Sequence, residues 1–213
     1  MASSDSLDLS ASDRCRGTKF RPRHARPITL CDDPLDMAGG GRKDAGQLPA
    51  MTQEGLLPAG RHRTSLDLVH ARFVEAAPNS SERAVIFRAF LVWADRLWSL
   101  APSARLWLDG GFVTHKAAAP HDIDVAALLK VSEFQGLTEE QYLALATHRA
   151  QDGRKVQPMG GLVNGFFVTR GAADQISAWQ RWWSSVVDSD KHELPGVSKG
   201  FVEVMPGERT PEP

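Results

Sequence analysis

Apolar residues first fall into register at Leu66, Val69 and Phe73, the i, i+3, i+7 spacing of one helix face, and Pro78 ends that pattern. Asn79-Ser-Ser-Glu82 reads as a capping box opening a long helix to about Leu100. Its buried stripe is Val85, Phe90, Leu91, Ala94, Leu97 and Trp98, and Pro102 closes it. Arg105 to Leu108 predicts a strand, and Asp122 to Leu129 a second. Thr138-Glu-Glu-Gln141 is a better capping box, predicting a helix to about Ala150 that Asp152-Gly153 breaks. Gly160 to Val168 reads as a third strand with Gly165 inside it. Residues 172–187 form an amphipathic helix on Ile176, Trp179, Trp183 and Val186. Asp188 to Pro195 reads as a loop and Lys199 to Val204 as a short last strand. The order is helix, helix, strand, strand, helix, strand, helix, strand. It predicts an α+β fold, with helices packed on one small mixed sheet.

Residues 1–50 carry no such period. They are rich in Ser, Asp, Arg, Pro and Gly, so little apolar surface is available to offset ordering entropy. We expect a disordered extension over 1–50, one domain over 51–206, and a frayed tail over 207–213. The basic run from Arg14 to Arg26 reads either as a nucleic-acid-binding arm or as a solvated tail upstream of a start at Met51, and the solvated reading is preferred.

Composition narrows the classes. The chain has 213 residues, 42% apolar and 24% charged, with net charge −1. That suits one domain with an appendage and gives no global field for nucleic acid. A polyanionic partner would need a local basic patch. No apolar run approaches the roughly 20 residues of a membrane span, and the N-terminus lacks the apolar core of a secretory signal. Both cysteines, Cys15 and Cys31, fall in the polar N-terminal region. The expectation is a reducing, cytoplasmic setting without a structural disulfide, and no Cys/His spacing suggests zinc.

The chemistry concentrates between Leu106 and Leu129. An apolar run ends in Gly110-Gly111, ten residues follow, and the next apolar run carries Asp122 and Asp124. Side chains at i and i+2 of a strand leave the same face, so the two carboxylates point together while Ile123 and Val125 point into a core. Two carboxylates on a rigid edge suit a hard divalent cation, Mg²⁺ above all. Two glycines beside them let backbone approach phosphates closely. A strand end with two solvated acids is the plainer reading, and the Gly-Gly strand end raises the pair above it.

Gly110-Gly111, the ten-residue spacing and Asp122-Ile-Asp-Val125 resemble the nucleotidyltransferase superfamily, the polymerase-β-like fold. More closely, the chain looks like a small, poorly characterised bacterial family of that fold. That likeness extends from about Leu57 to Val204 and includes Leu57-Pro-Ala-Gly-Arg-His-Arg-Thr64, Leu108 to Lys116, and the Lys199-Gly200 strand. The resemblance implies that Gly110 and Gly111 sit against a triphosphate and that Asp122 and Asp124 hold Mg²⁺, with up to two ions. It implies a third carboxylate on a later strand, which completes the metal site and activates the acceptor hydroxyl. Asn164 stands where that acid is expected, and Asn can ligate through its carbonyl oxygen but cannot act as a base. Glu203 on the last strand is the alternative third acid.

Thr114, Lys116 and Lys199 are candidates to meet phosphate oxygens, each against an ordinary exposed role. His115 and His121 flank the same loop and read better as surface residues. Trp179, Trp182 and Trp183 read as core and rim of a helix rather than a base-stacking platform, and Trp93, Trp98 and Trp107 as core. Arg61, His62 and Arg63 read as a solvated segment in preference to a nucleic-acid contact. The implied activity is Mg²⁺-dependent transfer of a nucleoside monophosphate from a nucleoside triphosphate to an acceptor hydroxyl on RNA or protein. A bacterial toxin–antitoxin or defence setting, with a partner protein, is conceivable from the family alone. The alternative is a catalytically weakened scaffold that binds nucleotide or a partner, and a third reading is a metal-dependent phosphohydrolase.

Overall fold

The computed structural model describes residues 46–187 and 192–207. The basic run, Cys15, Cys31 and the tail beyond 207 lie outside the described residues. In chain order the elements are β1 (Gly60–Arg63), α1 (Leu66–His70) running into a π-helical turn (Ala71–Glu75), α2 (Ser80–Leu100), β2 (Arg105–Asp109), β3 (Ile123–Leu129), α3 (Val131–Gln135) and α4 (Glu139–Leu145). There follow β4 (His148–Arg149), β5 (Lys155–Val156), β6 (Val163–Thr169), α5 (Ala173–Ser184), β7 (Ser185–Val187), β8 (Glu193–Ser198) and β9 (Gly200–Val204).

The expected α+β architecture with a small mixed sheet is present. Five strands lie in the order β1-β9-β2-β3-β6, while β4–β5 and β7–β8 are separate two-stranded ribbons. β2 is antiparallel to both neighbours, whereas β1 runs parallel to β9 and β6 parallel to β3. One face packs on α2 through Phe90, Trp93, Ala94 and Leu97, against Leu108, Val125, Ala127 and Val202. The other face packs on α5, where Trp107, Ala126, Leu128, Val168 and Phe201 meet Ile176 and Trp183. β3 is therefore covered on both sides, which is why Val125 to Leu129 is continuously apolar instead of alternating.

Several expectations shift. Asn79 makes no side-chain cap; it sits in the left-handed region at φ 59° and its Nδ2 donates to the Ala117 carbonyl at 2.9 Å. Asn tolerates that conformation better than most residues, so it turns the chain into α2 without a capping box. Val85 is 46% exposed, because the buried stripe of α2 runs through Arg83, Ile86 and Phe87 instead. The box at Thr138 and Gln141 forms in both directions. Its helix ends at Leu145, and Asp152-Gly153 turns the β4–β5 ribbon. Gly160 and Gly161 belong to a turn before β6. The C-terminal helix stops at Ser184, and the expected loop is partly the ribbon β7–β8.

Two corrections concern the N-terminal side. Gly60-Arg-His-Arg63 is a strand paired through its backbone with β9, although Gly60 and Arg61 are exposed and His62 and Arg63 half-buried, as a solvated segment would be. Residues 46–50, expected in the disordered extension, pack on the domain. Thr64 donates to the Gly46 carbonyl at 2.9 Å, Arg72 donates to the Pro49 carbonyl at 3.0 Å, and Leu48 is buried. No helix among the described residues is long and apolar enough to cross a membrane.

Candidate active site

The α5 face of the sheet carries a row of polar residues at one end. Asp109 of β2 is directly opposite Asp124 of β3, and Asp124 is directly opposite Asn164 of β6. Directly opposed residues share a face, so three side chains from three strands converge there. Asp122 precedes the first residue of β3 and adds its carboxylate two positions from Asp124.

Each acid has a donor. Asn164 Nδ2 donates to Asp124 Oδ1 at 2.6 Å, and Gln157 Nε2 donates to Asp122 Oδ2 at 2.8 Å. Lys199 Nζ donates to Asp109 Oδ1 in a largely buried ion pair. Burial pushes the Asp109 carboxyl up to about 7, with the Asp124 charge adding to the rise and the Lys199 ammonium opposing it. Burial also raises Asp124; Asp122 raises it further, while the Asn164 amide, Lys155 and Lys199 pull it back.

The glycine turn stands beside this row. Gly110 has φ 79° and ψ −164°, a region that glycine alone occupies readily. A Cβ there would collide with Asp124 Oδ2, so the same position admits the carboxylate to the turn. From below, the fully buried Arg83 donates to the carbonyls of Phe112 at 2.6 Å and Thr114 at 2.8 Å, holding the turn against α2. A cavity of about 260 Å³ opens over the row. Its floor includes Asp109, Gly110, Asp124, Asn164 and Lys199, and its far wall is the end of α5 and β7.

Among the residues expected from sequence, Asp124, Asn164, Gly110, Gly111 and Lys199 line this cavity, while Asp122 lies outside its lining, with its charge acting on Asp124 and its carboxylate accepting from Gln157. Lys116 lines the cavity and is exposed. Thr114 also lines it, but its hydroxyl donates to the Gly111 carbonyl at 2.9 Å and is committed to the turn. Glu203 does not join the site. It lies opposite Trp107, two residues along from Asp109 and about 7 Å deeper in the sheet by strand geometry. Its Oε1 accepts from the Trp107 indole at 2.9 Å and lies 3.6 Å from the Arg61 guanidinium. Its carboxylate is engaged in this buried polar contact, outside the cavity lining. His115 is also structural, bonded to the Arg72 carbonyl at 2.9 Å. Trp183 is core as expected, whereas Trp182 is exposed at the cavity wall.

Asp109, Gln157 and Arg83 are the site residues that sequence reasoning missed. Strand alternation places Asp109 on the face of Trp107, immediately before the glycine pair, and that was the available signal. Gln157 and Arg83 reach the site from a ribbon and a helix, and no local pattern marks them.

The oxygens fit a hard cation. Asn164 Oδ1 is buried and has no hydrogen-bond partner within the described residues, while its Nδ2 faces Asp124. Among the described residues, no group of three or more His, Cys, Asp or Glu side chains is placed to hold a metal ion, so any ion here would rest on two carboxylates and other oxygens. Two carboxylates and an amide oxygen are the donor types that Mg²⁺ takes when substrate phosphates complete its shell.

A family model described as a family of unknown function (DUF6932) matches residues 49–205. No curated protein and no solved structure matches the chain.

Proposed function

The chain belongs to that family of unknown function, and from the site itself we propose a Mg²⁺-dependent nucleotidyltransferase acting on a nucleoside triphosphate and an acceptor hydroxyl of RNA or protein. The observation that carries the reading is the row Asp109–Asp124–Asn164 beside Gly110, with Asp122 two positions from Asp124. Asp122, Asp124 and Asn164 Oδ1 would hold Mg²⁺, which supplies positive charge against the triphosphate oxygens when bound. The exposed backbone at Gly111 and the Lys116 ammonium would position the phosphates across the cavity.

In the transfer, the acceptor oxygen bonds to the α-phosphorus as the bridging bond to the β-phosphate breaks. Pyrophosphate leaves, and the hydroxyl proton goes to a carboxylate. Asp109 suits that last step better than Glu203. It faces the cavity, and its proton affinity near 7 lies close to the working pH of a general base. Catalysis of this type is mostly positioning and charge neutralisation. The test is incubation with labelled triphosphates, Mg²⁺ and candidate acceptors. The expected result is label transfer with pyrophosphate release, both abolished by Asp122→Ala with Asp124→Ala. Transfer that survives the double substitution rejects this site.

One observation favours a second reading, a scaffold that binds nucleotide without turnover. Asn164 stands where a third carboxylate would be, and each of the three acids already has a donor. Calorimetry separates the two: triphosphate binding with no pyrophosphate under any acceptor supports the scaffold.

A further inference from the structure

The acids of the site are not equivalent in what already neutralises them. Asp122 and Asp124 receive neutral amide donors, from Gln157 and Asn164. Asp109 receives an ammonium, and the Lys199 and Asp109 side chains are only 13% and 8% exposed. A surface lysine wanders; this one is fixed. Its own N–H donates to the Ser184 carbonyl at 2.9 Å, and that of Gly200 to the Leu57 carbonyl at 2.9 Å. Those bonds clamp the start of β9, and the side chain enters the site on the face shared with Phe201. The ammonium thus sits against the one carboxylate of the row that directly opposes Asp124 across the strand pair.

Resting on the transferase reading, we propose that Lys199 is a built-in substitute for a second metal ion, so that the site takes one divalent cation, at Asp122 and Asp124. The charges argue the same way. Three carboxylates less one ammonium leave two negative charges, which a single divalent ion cancels. A second ion would need Asp109 as a ligand, and would have to displace a buried ammonium from it with the lost ion pair uncompensated. Lys155 also acts on Asp124 but is exposed, so water screens it and it does not replace an ion.

The probe is Mn²⁺ alone, titrated into the full chain at pH 8 and followed by calorimetry and by the electron paramagnetic resonance of the free ion. The wild-type chain should bind one ion. Lys199→Ala, with its fold checked by circular dichroism, should bind two, and Lys199→Arg should stay at one. Asp109→Asn should bind no more than one ion, and more weakly, because one negative charge is gone while the Lys199 ammonium stays near Asp124, which keeps the idea testable if Lys199→Ala does not fold. Two ions on the wild-type chain, or one ion on folded Lys199→Ala, would overturn the inference while leaving the transferase reading standing. Two ions on Asp109→Asn would overturn it as well. No ion on any form would overturn the inference, and the label-transfer experiment would then decide the transferase reading by itself.

Discussion

Asp109 and Asp124 are directly opposed residues on antiparallel strands, and burial holds both carboxyls above the ordinary carboxylate range. Asp109 rises from 3.8 to about 7. The native state therefore binds more protons than the unfolded chain between those values. Stability from this group is fully present below the unfolded value and is lost as pH rises through the folded one. The urea midpoint of the metal-free protein should fall between pH 5 and pH 8. Asp109→Asn should remove most of that slope, gaining on the wild-type chain at pH 8 and little at pH 5. Parallel slopes for the two proteins would refute the placement of Asp109.

Glu203 separates fold from function at the other end of the same face. Glu203→Gln keeps an acceptor for the Trp107 indole but loses the charge beside Arg61. It should cost about 1 kcal/mol or less in urea unfolding. Mn²⁺ affinity and any transfer activity should be unchanged. A tenfold loss of either at full folding would return Glu203 to the site.

How much of this was readable beforehand follows from where each residue's signal lies. Gly110, Asp122 and Asp124 are close in sequence and their roles are local, so spacing alone brought them together. The sheet strands β2, β3, β6 and β9 showed themselves because buried strands need apolar residues. β1 did not, since Gly60-Arg-His-Arg63 contributes backbone bonds at a sheet edge with no buried side chain. The choice between Asn164 and Glu203 turned on strand register. Register pairs Asp124 with Asn164 and Trp107 with Glu203, and no single strand's sequence contains that pairing. The partners of Asp122 and Asp109 come from 35 and 90 residues away, beyond any local motif.

Arg83 offers a prediction about the turn. It is fully buried and donates to five carbonyls, those of Phe73, Pro78, Gly111, Phe112 and Thr114. Arg83→Met would leave those acceptors without their donor, at a cost of about 3 kcal/mol or more. Arg83→Lys should recover only part, because an ammonium lacks the planar fork that reaches several carbonyls at once. Chemical denaturation of the three proteins checks the order, and a loss under 1 kcal/mol in Arg83→Met would contradict it.

At Asn164 the prediction depends on the ion. Asn164→Asp removes the amide donor from Asp124 and sets a like charge directly opposite it. Without metal the variant should unfold more easily, by about 1–2 kcal/mol. With Mg²⁺ the order should narrow or reverse, because the new carboxylate joins the ion's ligands. Thermal unfolding with and without millimolar Mg²⁺ measures this. An Mg²⁺-induced shift no larger than that of the wild-type chain would count against Asn164 lying in the metal site.

The two glycines of the turn should behave oppositely although they are adjacent. Gly110→Ala forces an L residue to φ 79° and drives its Cβ into Asp124 Oδ2. It should cost about 1–3 kcal/mol in strain and lower ion affinity, since Asp124 must move. Gly111 has no positive φ, and an added Cβ would meet only Pro120, at an ordinary 3.6 Å. Gly111→Ala should therefore fold with the wild-type midpoint and bind Mn²⁺ normally. If the backbone there approaches the phosphates, the new methyl group should still weaken triphosphate binding about tenfold, the loss of roughly one good hydrogen bond. Paired measurements of unfolding, Mn²⁺ binding and triphosphate binding on both variants decide the matter. Equal triphosphate affinity in Gly111→Ala and the wild-type chain would move the phosphates away from this turn.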